Sequence, residues 1–547
     1  MKLDEDLYKA FLEEVHALES FRLRFAAMHP GVPLDREDPD IRRLIEAMAL
    51  FSARSRLAGV RNIDTNRHRI FRQFFPFFLS PLPSLSIMQI IPTRQLAEPV
   101  NLPCESKIAL SAESGETALF RTLNDLRVLP IFPAGFSTLL LPDKGYRFCL
   151  TYKAAFARSE EIGSLNLFIN YLKNYESSLH VFYNIKKHLR NISVVYDQKA
   201  DETTQGAACH ATFGVDDGTD GYEFSHPLEK ERLFFHFPWQ ELFVNVQVAK
   251  SEKNWSQFTL CLDFDATWPR NLILNQDVFC LFAVPIINHL QAMAQPVVCE
   301  GTKERYLLRH PDGEAGFSLH SIKGVYQATK AGMVPIKHCI FSKEGPTYEI
   351  DESKDEQGRQ NHYLNINYPD AFFEPATIVT DAFWLQPWFS EALSQRLSVV
   401  PFNRNLTGTG WELSVLPVAH QDTPFLNDLD GLLHLLTLTN KATLTRDDLL
   451  DILRALGVYA SPLFESFCTL LASVEVDQVP ISGNGSSRQL KHRYWLGFEE
   501  YDASKEPSLE VFLTHVERIL NDWISNAEIE VKRGSADREV NGVPRKG

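Results

Sequence analysis

The chain has 547 residues, with 55 Lys and Arg against 70 Asp and Glu, for a formal net charge of −15 at pH 7. Hydrophobic residues make up 44% and charged residues 23%, which excludes disordered and fibrous classes, and the acidic balance argues against a dedicated nucleic-acid binder, whose surface is usually basic. The length fits roughly three or four domains, and 38 Phe with 30 Pro point to extensive packing surfaces broken by irregular backbone.

From about residue 5 to 28, Leu7, Phe11, Val15, Leu18, Phe21 and Phe25 recur at spacings of three and four, which predicts a helix that Pro30-Gly31 ends. A second helix starts at Asp38-Pro39-Asp40. Asp38 can cap it, Pro39 suits the first helical position and Asp40 complements the dipole. Ile41, Leu44, Ile45, Met48 and Phe51 form its apolar stripe, and it carries Arg42, Arg43, Arg54, Arg56, Arg61, Arg67, Arg69 and Arg72. The Arg run reads either as a solvated helix face or as a docking face for an acidic partner.

Between about residues 85 and 420, short apolar or alternating runs are punctuated by Pro and Gly. Ser86–Ile91, Gly135–Leu141, Ser164–Asn170, Leu242–Val248, Phe258–Phe264, Gly316–Ile322 and Leu397–Pro401 read as strands. Leu179–Leu189 reads as a charged helix, and Asp197–Gly221 and Asp351–Asn361 as loops. The chain then turns helical again. Leu429, Leu432, Leu433 and Leu436 share a face, and Thr445-Arg446-Asp447-Asp448 resembles a capping box before Leu449–Leu456, with Gly457 as the stop. A last amphipathic helix runs through Leu509, Phe512, Leu513, Val516, Ile519, Leu520 and Trp523. The expected architecture is α+β: an N-terminal helical segment over 1–80, β-rich domains over 81–300 and 301–420, and a mixed α/β C-terminal domain over 421–547.

Few residues point to chemistry. The eight cysteines are scattered without a C-x-x-C, unlike a zinc module or a disulfide scaffold, and read as reduced small hydrophobes. The acidic start Met1-Lys2-Leu3-Asp4-Glu5-Asp6 is unlike a secretory signal. Phe74–Thr93 and Val278–Cys299 carry no charge but are interrupted by proline and polar side chains, so both read as buried segments of a cytosolic protein rather than membrane spans. Gly408-Thr409-Gly410 and Gly483-Asn484-Gly485 lack the context of a phosphate loop. Asp216, Asp217, Asp220 and Glu223 fail the EF-hand spacing. Cys209-His210 and His338-Cys339 would need remote ligands to hold a metal. No catalytic, cofactor or metal residues are assigned, and an enzyme is not expected.

Several motifs in order resemble the TssF family of the type VI secretion system. They are Leu7-Tyr8 with Phe11-Leu12; Asp38-Pro39 through Leu50-Phe51; Phe74-Phe75-Pro76-Phe77-Phe78 through Gln89-Ile90; Phe120-Arg121-Thr122; Pro285 through Pro296; Phe317 through Ile322; Phe402-Asn403-Arg404-Asn405-Leu406; and Leu432 through Asn440. Ala283-Val284 and Pro401 depart from the family pattern. The resemblance implies a non-enzymatic baseplate wedge protein like those of contractile phage tails. It implies two copies with one TssG, bound to TssK, near TssE and the VgrG spike and beside other copies of itself. No nucleic acid is implied, and the membrane is met only indirectly, from a cytoplasmic baseplate docked at the inner membrane. The alternative is a wedge protein of a phage or phage-like contractile particle. The expected partner-facing residues are Leu7, Phe11, Leu18, Arg42, Arg43, Phe51, Phe74, Phe77 and Trp523.

Overall fold

The structure is a computed structural model that describes residues 5–29, 31, 39–142, 145–214, 226–265, 268–303, 305–313, 316–339, 345–354, 360–368, 375–402, 406–423, 425, 429–480, 490–524 and 527–534. The chain forms two units. One comprises Met1–Leu79 with Pro424–Thr437, and the other Ser80–Thr423 with Leu438–Gly547. Asp38, the acidic group Asp216, Asp217, Asp220 and Glu223, the Asn403-Arg404-Asn405 turn and the Gly483-Asn484-Gly485 loop lie outside the described residues.

The first unit is built on two long helices, α1 (Glu5–Met28) and α2 (Pro39–Phe74). Proline opens α2, where its missing N–H costs nothing, and Asp40 sits in the first turn. At about 1.5 Å per residue, its 36 residues span roughly 54 Å. The residues buried on the two helices include Ala10 on α1 and Ala49 and Ala53 on α2, and small side chains of this kind let backbones approach closely. Polar contacts flank them. Arg56 reaches Glu13 at 2.7 Å and Glu14 at 3.3 Å, and Ser52 donates to Glu14 at 2.9 Å. Pro76 cannot continue α2, and the chain folds into the short turn Pro76–Leu79. Buried rings gather there: Phe77 and Phe78 lie 4.5 Å apart, and Phe78 lies 5.7 Å from Phe425.

In the second unit the two uncharged stretches meet. Leu85–Pro92 pairs antiparallel with Ala283–Ile287, Leu85 opposite Ile287 and Gln89 opposite Ala283. They are two of the four inner strands of a six-stranded sheet in the order 397–401, 107–112, 117–122, 283–287, 85–92, 409–415. Strands covered on both faces need apolar residues throughout, and that is why these segments resemble membrane spans in sequence. No helix among the described residues is long and apolar enough to cross a membrane. A five-stranded sheet (207–208, 189–196, 255–264, 146–158, 131–140) and a four-stranded sheet (210–213, 243–247, 164–169, 279–281) complete the main core. A larger sheet runs from 290–293 through 376–385, 318–329, 332–338, 347–354 and 360–367 to 305–307.

Two segments read as loops contain strands. Thr347–Lys354 and Gln360–Asn367 form a hairpin through the charged run, with Glu352 opposite His362. The charges mask a period-two alternation in which Tyr348, Ile350, Leu364 and Ile366 pack in one core cluster. Short strands at Ala207–Ala208 and His210–Phe213 likewise occupy part of 197–221. At the C-terminal end, Thr445 and Asp448 cap each other reciprocally and Gly457 turns left-handed at φ 82°. The helix Glu506–Trp523 then crosses between strands Leu490–Phe498 and Glu528–Arg533, which pair in parallel.

Two buried ionic networks lock this unit. Arg147 grips Asp263 with two hydrogen bonds of 2.6 and 2.9 Å and donates to the carbonyls of Asp201 and Thr204 at 2.8 and 2.9 Å. This tethers the loop after residue 196 to the five-stranded sheet. Arg147→Ala would leave a buried carboxylate unpaired and is expected to cost about 3–5 kcal/mol, read by urea denaturation; a loss below about 1 kcal/mol would contradict the assignment. In the second network His515 lies between Glu231 and Glu241 (3.3 Å to the latter), stacked on Phe234 at 3.5 Å. Burial opposes its charge, but the two carboxylates prevail and raise its pKa.

Candidate partner interface

The helical pair buries Ala10, Ala49, Ala53 and Phe71 and displays several of its other large residues. On α2, Leu44, Met48 and Phe51 fall at spacings of four and three, one continuous stripe, and are 60%, 54% and 76% exposed. On α1, Tyr8, Leu12 and Phe21 are also exposed. Scattered surface apolar residues need no explanation, but contiguous ones mark interaction sites.

The structure separates the residues expected at partner contacts. Phe51 is exposed, and Leu7, Phe11 and Leu18 are half-buried along α1. Arg42 and Arg43 are exposed and paired along their own helix, with Glu46 at 3.1 Å and Asp40 at 3.6 Å. Such surface pairs contribute little stability, about 0.3–0.5 kcal/mol. Arg56 is paired with α1, and Arg67 approaches Asp430 at 3.7 Å. Phe77 and Trp523 are buried inside this chain, Phe77 in the ring cluster and Trp523 at the end of the crossover helix. Phe74 closes α2, and its side chain lies outside the described residues. Leu44, Met48 and Phe21 were read from sequence as parts of the helices' apolar stripes and Tyr8 as part of a family motif, but none of the four was expected at a partner contact. The signal for them was available in Ala10, Ala49 and Ala53, because alanine on the inner face turns the large residues outward.

No described group of three or more His, Cys, Asp or Glu is placed to hold a metal ion, and all eight cysteines are free thiols. A buried polar relay occupies the start of the second unit instead. Arg121 contacts His289 Nδ1 at 3.2 Å, His289 Nε2 lies 3.2 Å from His320 Nδ1, and His320 Nε2 lies 3.1 Å from the Pro81 carbonyl. The order fixes the protons. Arg121 donates to His289, His289 to His320 and His320 to the carbonyl, so both rings are neutral. Arg232 donates to the Ser80 carbonyl at 2.6 Å, and His236 contacts that of Pro83 at 3.0 Å. A proline-broken segment lacks a regular ladder, and side chains here satisfy its carbonyls. Burial pushes the pKa of His236 and of His320 down to about 4, and that of His289 well below the usual value. The relay holds backbone.

The fold belongs to a class of secretion-machine subunits. A chain of the type VI secretion system TssK–TssF–TssG baseplate subcomplex, determined by cryo-electron microscopy, superposes with a TM-score of 0.72 over 92% of this chain and 99% of that one at 16% identity. A chain of the type VI secretion baseplate complex superposes with a TM-score of 0.60 over 96% of each at 16% identity. The family model described as "Type VI secretion system, TssF" matches residues 3–381, and the chain belongs to that family. No curated protein matches it.

Proposed function

We propose that this chain is a structural wedge subunit of the type VI secretion baseplate and acts through assembly, not catalysis. The observation that carries this reading is the exposed Leu44–Met48–Phe51 stripe on a helical pair in which Ala10, Ala49 and Ala53 are buried. An amphipathic helix of a partner would cover such a stripe. The partner is TssG, with two copies of this chain per TssG, and TssK binds the resulting complex. TssE, the VgrG spike and neighbouring copies of the wedge lie further out in the assembly. The baseplate works in the cytoplasm and reaches the inner membrane through TssK. Switching would follow from contacts that differ between the extended and contracted states of the tail.

Co-expression with TssG tests this. A soluble complex with two copies of this chain, counted by native mass spectrometry, is the expected result. A stable monomer indifferent to TssG would overturn it.

A further inference from the structure

A groove of about 620 Å³ opens in the second unit. Its walls come from three sheets at their margins. Glu412, Leu413 and Ser414 belong to strand 409–415, the last of the six-stranded sheet; Phe279–Leu281 is the last strand of the four-stranded sheet; and Pro133 lies on 131–140, the last of the five-stranded sheet, beside a bulge at Pro133/Gly135. Sheet margins are where an extended chain can add.

The groove has three further properties. Leu172 and Ile273 line it, yet are 73% and 79% exposed. Leu172 and Lys173 both sit in the left-handed region, at φ 55° and 52°. That region is unfavourable for residues other than glycine, and strain of this kind gathers at functional sites. The Asn170 side chain donates to the Ser414 carbonyl at 3.0 Å, but its buried Oδ1 has no hydrogen-bond partner. A buried acceptor of this kind calls for a donor. Exposed Glu412 and Asp277 line the groove against a single cation, Lys173.

We propose that this groove binds an extended segment of a partner protein in which an aliphatic side chain is flanked by Lys or Arg. The aliphatic group would lie between Leu172 and Ile273, and the flanking cations would meet Glu412 and Asp277. This site is separate from the helical stripe, so it stands or falls independently of binding to TssG.

The test uses the full chain and a short labelled peptide of alternating lysine and valine, with a glutamate–valine peptide as control, read by fluorescence anisotropy. The lysine peptide is expected to bind and the glutamate peptide to bind at least tenfold more weakly. Glu412→Gln with Asp277→Asn should weaken the lysine peptide about tenfold and flatten its salt dependence. Leu172→Gly should weaken binding while raising Tm, because glycine relieves the left-handed strain; a purely structural role would not separate the two. All three positions are exposed, so the fold survives. Equal binding of both peptides, no binding of the lysine peptide, or binding unchanged by these variants would overturn the proposal. In the assembled baseplate, a photocrosslinker at position 273 should map to a basic–aliphatic segment of another subunit; a cross-link mapped to any other kind of segment would also overturn it.

Discussion

A chain carrying Phe51→Asp is expected to fold normally and to lose TssG. Phe51 is 76% exposed, and an exposed substitution away from specific contacts stays within about 0.5 kcal/mol. In the assembled state the same change removes the burial of a ring, about 1.5–3 kcal/mol. It also leaves a carboxylate desolvated without a partner, a penalty of about 3–5 kcal/mol. Together these exceed about 4 kcal/mol, or roughly a thousandfold in affinity. The measurement pairs thermal denaturation with co-purification. Phe77→Asp is the contrasting variant. It places the charge in the ring cluster and should fail to fold, since Phe77 is only 1% exposed. If the Phe51 variant co-purified with TssG at wild-type yield, the stripe would not be the contact.

Acidification from pH 7 to pH 4 is expected to destabilise the second unit by about 3 kcal/mol for each of His236 and His320. Their pKa values are lowered to about 4, first by burial and then by Arg232 and His420 nearby, against the carbonyls of Pro83 and Pro81, which act to raise them. In the unfolded chain a histidine titrates near 6.5. Between those values the unfolded state binds protons that the folded state refuses, so stability falls as pH falls. The relay supplies the geometric reason, because a second proton on either ring of the His289–His320 pair sets N–H against N–H. His320→Asn keeps a donor for the Pro81 carbonyl and should flatten the pH slope of urea midpoints. An unchanged slope would show that the relay does not titrate as described. His515 works in the opposite sense. Its raised pKa contributes stability that is fully present below about 6.5 and is lost as pH rises through the folded value, so the two networks respond to pH with opposite sign.

The two long N-terminal helices, the helices at Tyr175–His188, Leu429–Leu438, Arg446–Ala455 and Glu506–Trp523, the strand segments named from sequence and the Thr445 capping box were legible because each is written in a short window of spacing; the helices Pro227–His236 and Pro462–Leu470 and many short strands were not read. Pairing was not. Nothing near Leu85 announces Ile287 as its partner, and an apolar run buried on both faces is hard to distinguish from a membrane span. The 347–367 hairpin was hidden because its charged outer face outweighs four apolar residues turned inward. Phe51 was named from its family motif and is exposed, whereas Phe77 and Trp523 carry the same aromatic signal and belong to this chain's own core. Which side of an apolar stripe is covered depends on how two helices pack, a relation between them rather than a property of one.

The first unit is discontinuous, and this has a consequence for synthesis. Its helical pair lies within the first 79 residues, but the unit is completed only by residues 424–437. At ribosomal rates of about 5–20 residues per second, the missing piece arrives roughly 20–70 s after residue 79. During that interval Phe425 is absent from the ring cluster, and the apolar stripe of α2 is already made. The nascent chain therefore carries its exposed apolar stripe before it has a finished unit to support it. This favours capture by a partner or chaperone already present when translation begins.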